Sequence, residues 1–253
     1  MELSLFNPPV TYFISYTDGT GGLLLKALME RVVLSYMPFE EFSTDDKNSA
    51  HPNGTYANYR ITVGNETVND LEQEFNSMEV VDPERSAFIS THFFDPELFR
   101  TRHLGSKTAV ITHTEADIEE VTINWIYKAT PPLQAEGTGL SFQRFSPYAP
   151  VAFRDMVNKE FFSMTNAEKR KCVDFIKGIT YMRGYHLLGD IGQYGTDVVE
   201  FKYQDLMTNP QMVNQQMQAL TGMALTEGAQ AALDYYQTKQ TTFMAFARTE
   251  LGL

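Results

Sequence analysis

The sequence predicts an α/β fold, a single domain spanning residues 1–253 with a mostly parallel central sheet flanked by helices. Three observations carry that expectation. Short runs rich in Val, Ile and Phe recur along the chain (TYFIS, SAFIST, KTAVIT, DVVEFKY), each the length of a buried strand and too short for a helix. Each is followed by a segment with apolar residues at helical spacing, the alternation that builds a parallel sheet covered on both faces. The length of 253 residues, with 43% hydrophobic and 13% aromatic residues, suits one large domain with a sizeable core.

The elements follow in order. Thr11–Ser15 is the first strand, and after SYTDGTGG a helix over 23–34 places Leu24, Ala27, Leu28, Arg31 and Val32 on one side. Lys26, one turn in, is expected to face solvent. Residues 37–59, rich in Asp, Asn, Ser and Pro, read as a surface excursion placed to cover a site. Leu71 and Phe75 mark a short helix over 70–78, and 86–91 reads as a strand with His92 directly after it. The run 107–112 is a third strand, followed by a helix that Asp117 can cap with Glu120 three places on, with Ile118, Val121 and Trp125 as its apolar stripe. Residues 130–148, containing TPPL, GTG and SPY, read as loop. TNAE at 165–168 is a capping box opening a helix that turns Val173, Ile176 and Ile179 inward. Residues 197–203 form a fourth strand, Asn209-Pro210 opens a helix that ends at Gly222, and 226–248 is largely helical. No internal repeat is present.

Charge and composition narrow the function classes. A formal net charge of -12 opposes general binding to nucleic acid or to anionic membranes, so an anionic substrate needs a local pocket. One cysteine, Cys172, forms no intrachain disulfide, and no apolar run approaches the roughly 20 residues that span a bilayer. The first ten residues lack a basic segment and a long apolar core, so the expectation is a cytoplasmic protein.

In parallel sheets ligands bind beyond the carboxyl ends of the strands, which directs attention to SYTDGTGG, THFFD, HTEAD and YQDLM. Amides at a glycine-rich strand-to-helix turn form an anion site, backed by the helix dipole. Asp18, Gly19, Thr20, Gly21, Gly22 and Leu23 make up that turn, but the Gly-Lys-Ser/Thr ending of a nucleotide-hydrolase P-loop is missing. A carboxylate about 5 Å from one phosphate charge repels it by roughly 3 kcal/mol at an effective dielectric near 20. Asp18 therefore points away, or caps the helix, or the anion is handled otherwise. His92, at the end of its strand, is the residue type that takes a proton from a substrate hydroxyl near neutral pH. His113 lies at a second strand end, and no spacing joins the histidines into a metal set. Cys172 reads as an inert thiol, and Glu115, Asp117, Glu119 and Glu120 as a favourable charge bias in a first helical turn.

Taken in order, these strand ends resemble the cytosolic sulfotransferase family. AFISTHFFDPELF is similar to that family's strand, Lys-Thr-His and following loop, which puts His92 on the catalytic base. TAVITHTEADIEEVTINWIYK is similar to the Arg-x-x-x-Asp strand and helix that bind the donor's 3′-phosphate, with Asp117 on the aspartate and His113 on the arginine. SYTDGTGG stands in the place of the loop that holds the 5′-phosphosulfate, and VVEFKYQDLMTNP resembles the Tyr-Glu-Asp-Leu block with Tyr203, Asp205, Leu206 and Pro210 in register. The resemblance implies a fold related to P-loop nucleotide hydrolases and kinases, with 3′-phosphoadenosine 5′-phosphosulfate (PAPS) as donor. It also implies a small-molecule or glycan acceptor, and no metal. It departs at Asp18, which stands where the loop has a cation, and at Val121, which stands where a serine contacts phosphate, with Thr122 one place off as its substitute. The family's C-terminal basic loop has no counterpart here, although Arg248 lies in the tail. The implied function is a divergent sulfotransferase; the alternatives are a non-catalytic sulfotransferase-like binding protein and another transferase on the same scaffold.

Overall fold

All five residues of strand β1 (Thr11–Ser15) are buried, leaving no solvent face, as a central parallel strand requires. The computed structural model describes residues 10–34, 60–61, 86–92, 94–102, 105–128, 141–184 and 188–253. After β1 come helix α1 (Gly22–Leu34), strand β2 (Arg60–Ile61), strand β3 (Ala87–Thr91) and helix α2 (Pro96–Arg102). Strand β4 (Lys107–Thr112) leads through a 3-10 turn at Glu115–Asp117 into helix α3 (Ile118–Lys128). Helix α4 (Val151–Val157), helix α5 (Asn166–Arg183), strand β5 (Val198–Lys202), helix α6 (Tyr203–Thr208), helix α7 (Pro210–Thr221) and helix α8 (Glu227–Leu251) complete the order.

The sheet is the expected α/β arrangement. Its order is β2-β3-β1-β4-β5, and every pairing is parallel, with Ser15 opposite both Thr91 of β3 and Val110 of β4. From β1 the chain runs first to one side of the sheet and then, after β3, to the other. That reversal opens a crevice beside the carboxyl end of β1, the position where parallel sheets bind ligands.

Alternation along the strands sorts the core. Tyr12 and Ile14 of β1, with Ala109 and Ile111 of β4 and Phe201 of β5, pack with Leu24, Leu25 and Leu28 of α1 and Val213 and Met217 of α7. On the opposite face Phe13 stacks on Phe99 of α2, ring centroids 4.0 Å apart, and Val110 packs with Ile191 and Val198. A second core, away from the sheet, joins α3, α5 and α8 through Ile126, Val173, Ile176 and Ala247. Each fully buried large side chain contributes about 1.5–3 kcal/mol against exposure.

Several element boundaries differ from the sequence expectations. The excursion at 37–59 and the helix at 70–78 lie outside the described residues. The start of α3 is set by Thr114 rather than by Asp117, because Asp117 is the third residue of the box and its carboxylate accepts from the Thr114 amide and hydroxyl at 2.7 and 2.8 Å. Gln143–Tyr148 within the supposed loop is a 3-10 turn, and α2, α4 and α6 were not foreseen. Lys26 is not solvent-facing: it is buried and pairs with Glu30 one turn on at 3.1 Å.

The box at the start of α5 is as expected: the Thr165 side chain accepts from the Glu168 amide, and Glu168 accepts from the Thr165 amide at 2.9 Å. The Lys159 ammonium beside Glu168, with the Thr165 donors, holds its carboxyl down to about 2. A carboxyl lowered on folding adds stability that is present above its unfolded value and is lost as pH falls through the folded one. Thermal unfolding between pH 5 and pH 2 is therefore expected to fall more steeply for the wild type than for Glu168→Gln. Thr165→Ala, read at neutral pH, is expected to cost about 1 kcal/mol. Equal pH slopes for wild type and Glu168→Gln would contradict the assignment.

Candidate active site

The parallel ladder delivers His92 to the loop after β1. The Tyr16 amide donates to the Thr91 carbonyl at 3.0 Å, which continues the β1–β3 pairing by one residue and sets Tyr16 beside His92. The Tyr16 carbonyl then accepts from His92 Nδ1 at 2.8 Å, and the two rings pack with centroids 4.6 Å apart. A carbonyl only accepts, so Nδ1 carries the proton and Nε2 is the position that gains or loses one. Asp18 faces that nitrogen, with Oδ1 3.6 Å from Nε2. The side chains are 4% exposed for His92 and 15% for Asp18, so the carboxylate acts across a poorly screened gap.

The turn carrying Asp18 is shaped by close contacts. Gly19 has φ +87°, and a Cβ there would lie 2.1 Å from the carbonyl oxygen of Val121. Gly22 lies against the Tyr16 ring, where a Cβ would approach to 2.1 Å. The turn is closed by the Thr20 amide and hydroxyl, both donating to the Thr17 carbonyl at 3.2 and 2.7 Å. The glycines thus let α3 and Tyr16 press on the loop. The first turn of α1 follows, with Leu25 donating to the Gly21 carbonyl at 3.0 Å; the Gly22 and Leu23 amides precede that bond and have no partner within the helix.

The remaining residues named from sequence are held elsewhere. His113 is buried, with Nδ1 turned to the neighbouring Thr114 carbonyl at 3.3 Å. Asp117 is taken up by its capping bonds to Thr114. Thr122, expected as a substitute phosphate ligand, is fully buried, and its hydroxyl donates to Thr180 of α5 at 3.0 Å. Thr20, also fully buried, has both its donors engaged within the turn. Arg248 is not at the site either, since it pairs with Glu119 and Glu120 at 3.4 and 3.3 Å.

One neighbouring group was not singled out from sequence. Asn124, one helical turn beyond Glu120 on α3, donates to the Gly19 carbonyl at 3.1 Å and to the Tyr203 hydroxyl at 3.0 Å. The available signal was a polar residue three places after Val121, interrupting the apolar stripe of α3. Tyr203, at the end of β5, is fully buried; burial, with nearby Tyr236, Glu120 and Asp117, raises its phenol well above its ordinary value, so it remains protonated. Cys172 is buried as well, and burial with the Glu168 charge pushes its thiol up to about 11, as an inert thiol requires. Among the described residues, no three His, Cys, Asp or Glu side chains come together as a metal set, and no helix is long and apolar enough to cross a membrane.

No family model and no curated protein matches the chain. Among solved structures it is similar to a sulfotransferase from Alicyclobacillus acidocaldarius, with 11% identity, 95% of each chain covered and a TM-score of 0.35. A likeness at that level gives no residue-by-residue equivalence.

Proposed function

We propose that the protein is a divergent sulfotransferase that moves a sulfuryl group from PAPS to a hydroxyl or amine of a small-molecule or glycan acceptor, with His92 as general base. The observation that carries this reading is the His92 imidazole at the crevice, with Nδ1 tied to the Tyr16 carbonyl and Nε2 facing Asp18. The ordered strand-end blocks, similar to the sulfotransferase family, support it.

In this reaction the acceptor oxygen or nitrogen forms a bond to sulfur as the bond from sulfur to the phosphate oxygen breaks. The acceptor's proton passes to Nε2, and adenosine 3′,5′-bisphosphate leaves. Asp18 acts on His92 rather than on the donor: as Nε2 gains its proton, the carboxylate and imidazolium form a pair of no net charge. That neutralisation removes the repulsion a lone Asp18 would exert on the leaving phosphate, which is about 3 kcal/mol at 5 Å. The Gly21, Gly22 and Leu23 amides, at the positive end of α1, are the donors for the 5′-phosphosulfate. No step requires a metal.

A second reading, a non-catalytic binding protein of the same fold, is favoured by the engagement of His113, Asp117, Thr20 and Thr122 in bonds within the protein. The deciding experiment incubates the protein with PAPS labelled in its sulfuryl group and a panel of phenols, alcohols, amines and oligosaccharides. Label transferred to an acceptor by wild type and lost with His92→Ala supports the enzyme with His92 as base; equal transfer by both removes His92 from the chemistry, and transfer by neither supports the binding protein.

A further inference from the structure

The turn that carries Asp18 is gripped from outside by a relay of side-chain amides. The Gly19 carbonyl accepts from Asn124 Nδ2 at 3.1 Å, and a carbonyl only accepts, so this contact decides which end of the Asn124 amide is nitrogen. Oδ1 then faces α8, where it accepts from Gln240 Nε2 at 2.7 Å. The Tyr203 hydroxyl takes the second Nδ2 proton at 3.0 Å. Each orientation in the chain fixes the next, from α8 through α3 to the loop.

The grip bears on the site through peptide geometry. In a trans peptide the carbonyl and the following amide point in opposite directions. A Gly19 carbonyl held toward Asn124 therefore directs the Thr20 amide away from it, and that amide closes the turn on the Thr17 carbonyl at 3.2 Å. Asp18 lies inside this closed turn. We propose that Asn124, oriented by Gln240, is a positioning residue that holds Asp18 against His92 Nε2. The inference rests on the reading that the Asp18–His92 pair is the working centre, and it makes the C-terminal helix α8 part of the site's support. Asn124 Nδ2 holds the Gly19 carbonyl, and the Val121 carbonyl of the same helix lies where a Cβ on Gly19 would be, so α3 meets this residue at two points.

The test follows the His92 ring resonances by NMR during a pH titration of the whole chain, without ligand, so failure of sulfuryl transfer does not affect it. Asp18→Asn defines the shift in midpoint caused by losing the carboxylate. Asn124→Leu is expected to move the midpoint in the same direction, by about half that shift or more, and Gln240→Leu by a smaller amount. Asn124→Leu combined with Asp18→Asn is expected to behave as Asp18→Asn alone, because the two act through one contact. Thr165→Ala, a destabilising change on α5, is the control and leaves the midpoint unmoved. A wild-type midpoint in Gln240→Leu and in folded Asn124→Leu overturns the proposal, and so does full additivity with Asp18→Asn. Should Asn124→Leu fail to fold, Gln240→Leu alone decides by the same two criteria.

Discussion

Replacement of His92 by glutamine is expected to lower the turnover of sulfuryl transfer by about 10²–10⁴-fold. Glutamine keeps a donor for the Tyr16 carbonyl and approximates the ring's reach, but it cannot take a proton at neutral pH. The loss therefore belongs in turnover, with affinity for adenosine 3′,5′-bisphosphate near that of the wild type, because the proposed reaction assigns the donor to the amides of α1 rather than to the imidazole. Steady-state kinetics and calorimetric titration separate the two quantities. A variant that retains turnover within a few-fold of wild type would remove His92 from the chemistry. One that loses turnover and donor affinity together would make it a binding or structural residue.

The second large effect is structural. Gly19→Ala places a methyl group 2.1 Å from the Val121 carbonyl oxygen, on a backbone with φ +87°. The left-handed conformation costs of order 1–3 kcal/mol by itself, and the contact forces α3 and the loop apart at a further cost of about 1–3 kcal/mol. A total loss of about 3 kcal/mol or more is expected in urea unfolding. Gly105 provides the comparison, since its φ is +77° and a Cβ there meets none of the described residues within 4 Å. Gly105→Ala carries the backbone term alone and is expected to lose about 1–2 kcal/mol. Equal losses at the two sites would mean that α3 and the loop move apart freely, and the tight grip on the Asp18 turn would be wrong.

The sheet was legible because its strands are apolar on both faces, which leaves short unbroken runs such as TYFIS and KTAVIT that a helix period cannot produce. Strand β2 was not, since two residues carry no pattern and its pairing depends on β3. Helix α6 was hidden for a related reason: DVVEFKY reads as one strand, but the sheet ends at Lys202 and the chain turns helical at Tyr203. At the start of α3 two capping patterns overlap, Thr114 with Asp117 and Asp117 with Glu120, and the first is the one formed, the Thr114 amide and hydroxyl donating to the Asp117 carboxylate. That choice takes the Asp117 carboxylate for the cap.

The site itself divides in the same way. His92 could be named from its place at a strand end, which is a local property. The role of Asp18 could not, because β1 and β3 are brought together by the sheet and nothing near Asp18 in sequence points to a histidine. Its three sequence readings were that it turns away, caps the helix, or leaves the anion to other groups; the structure places its carboxylate toward His92 Nε2. The contact that Thr122 makes was hidden for the converse reason. Helical periodicity says only that this residue lies beside Val121, and the packing of α3 on α5 decides that its hydroxyl meets Thr180.

The central claim, that the loop after β1 holds a sulfuryl donor beside a histidine base, is tested most directly by titrating amide-labelled protein with adenosine 3′,5′-bisphosphate and following the Gly19–Leu23 amides by NMR. The account predicts saturable binding, with the largest shifts at Gly21, Gly22 and Leu23 and a concurrent shift at His92. No binding at millimolar ligand, or binding that moves amides elsewhere and leaves these unchanged, would contradict it.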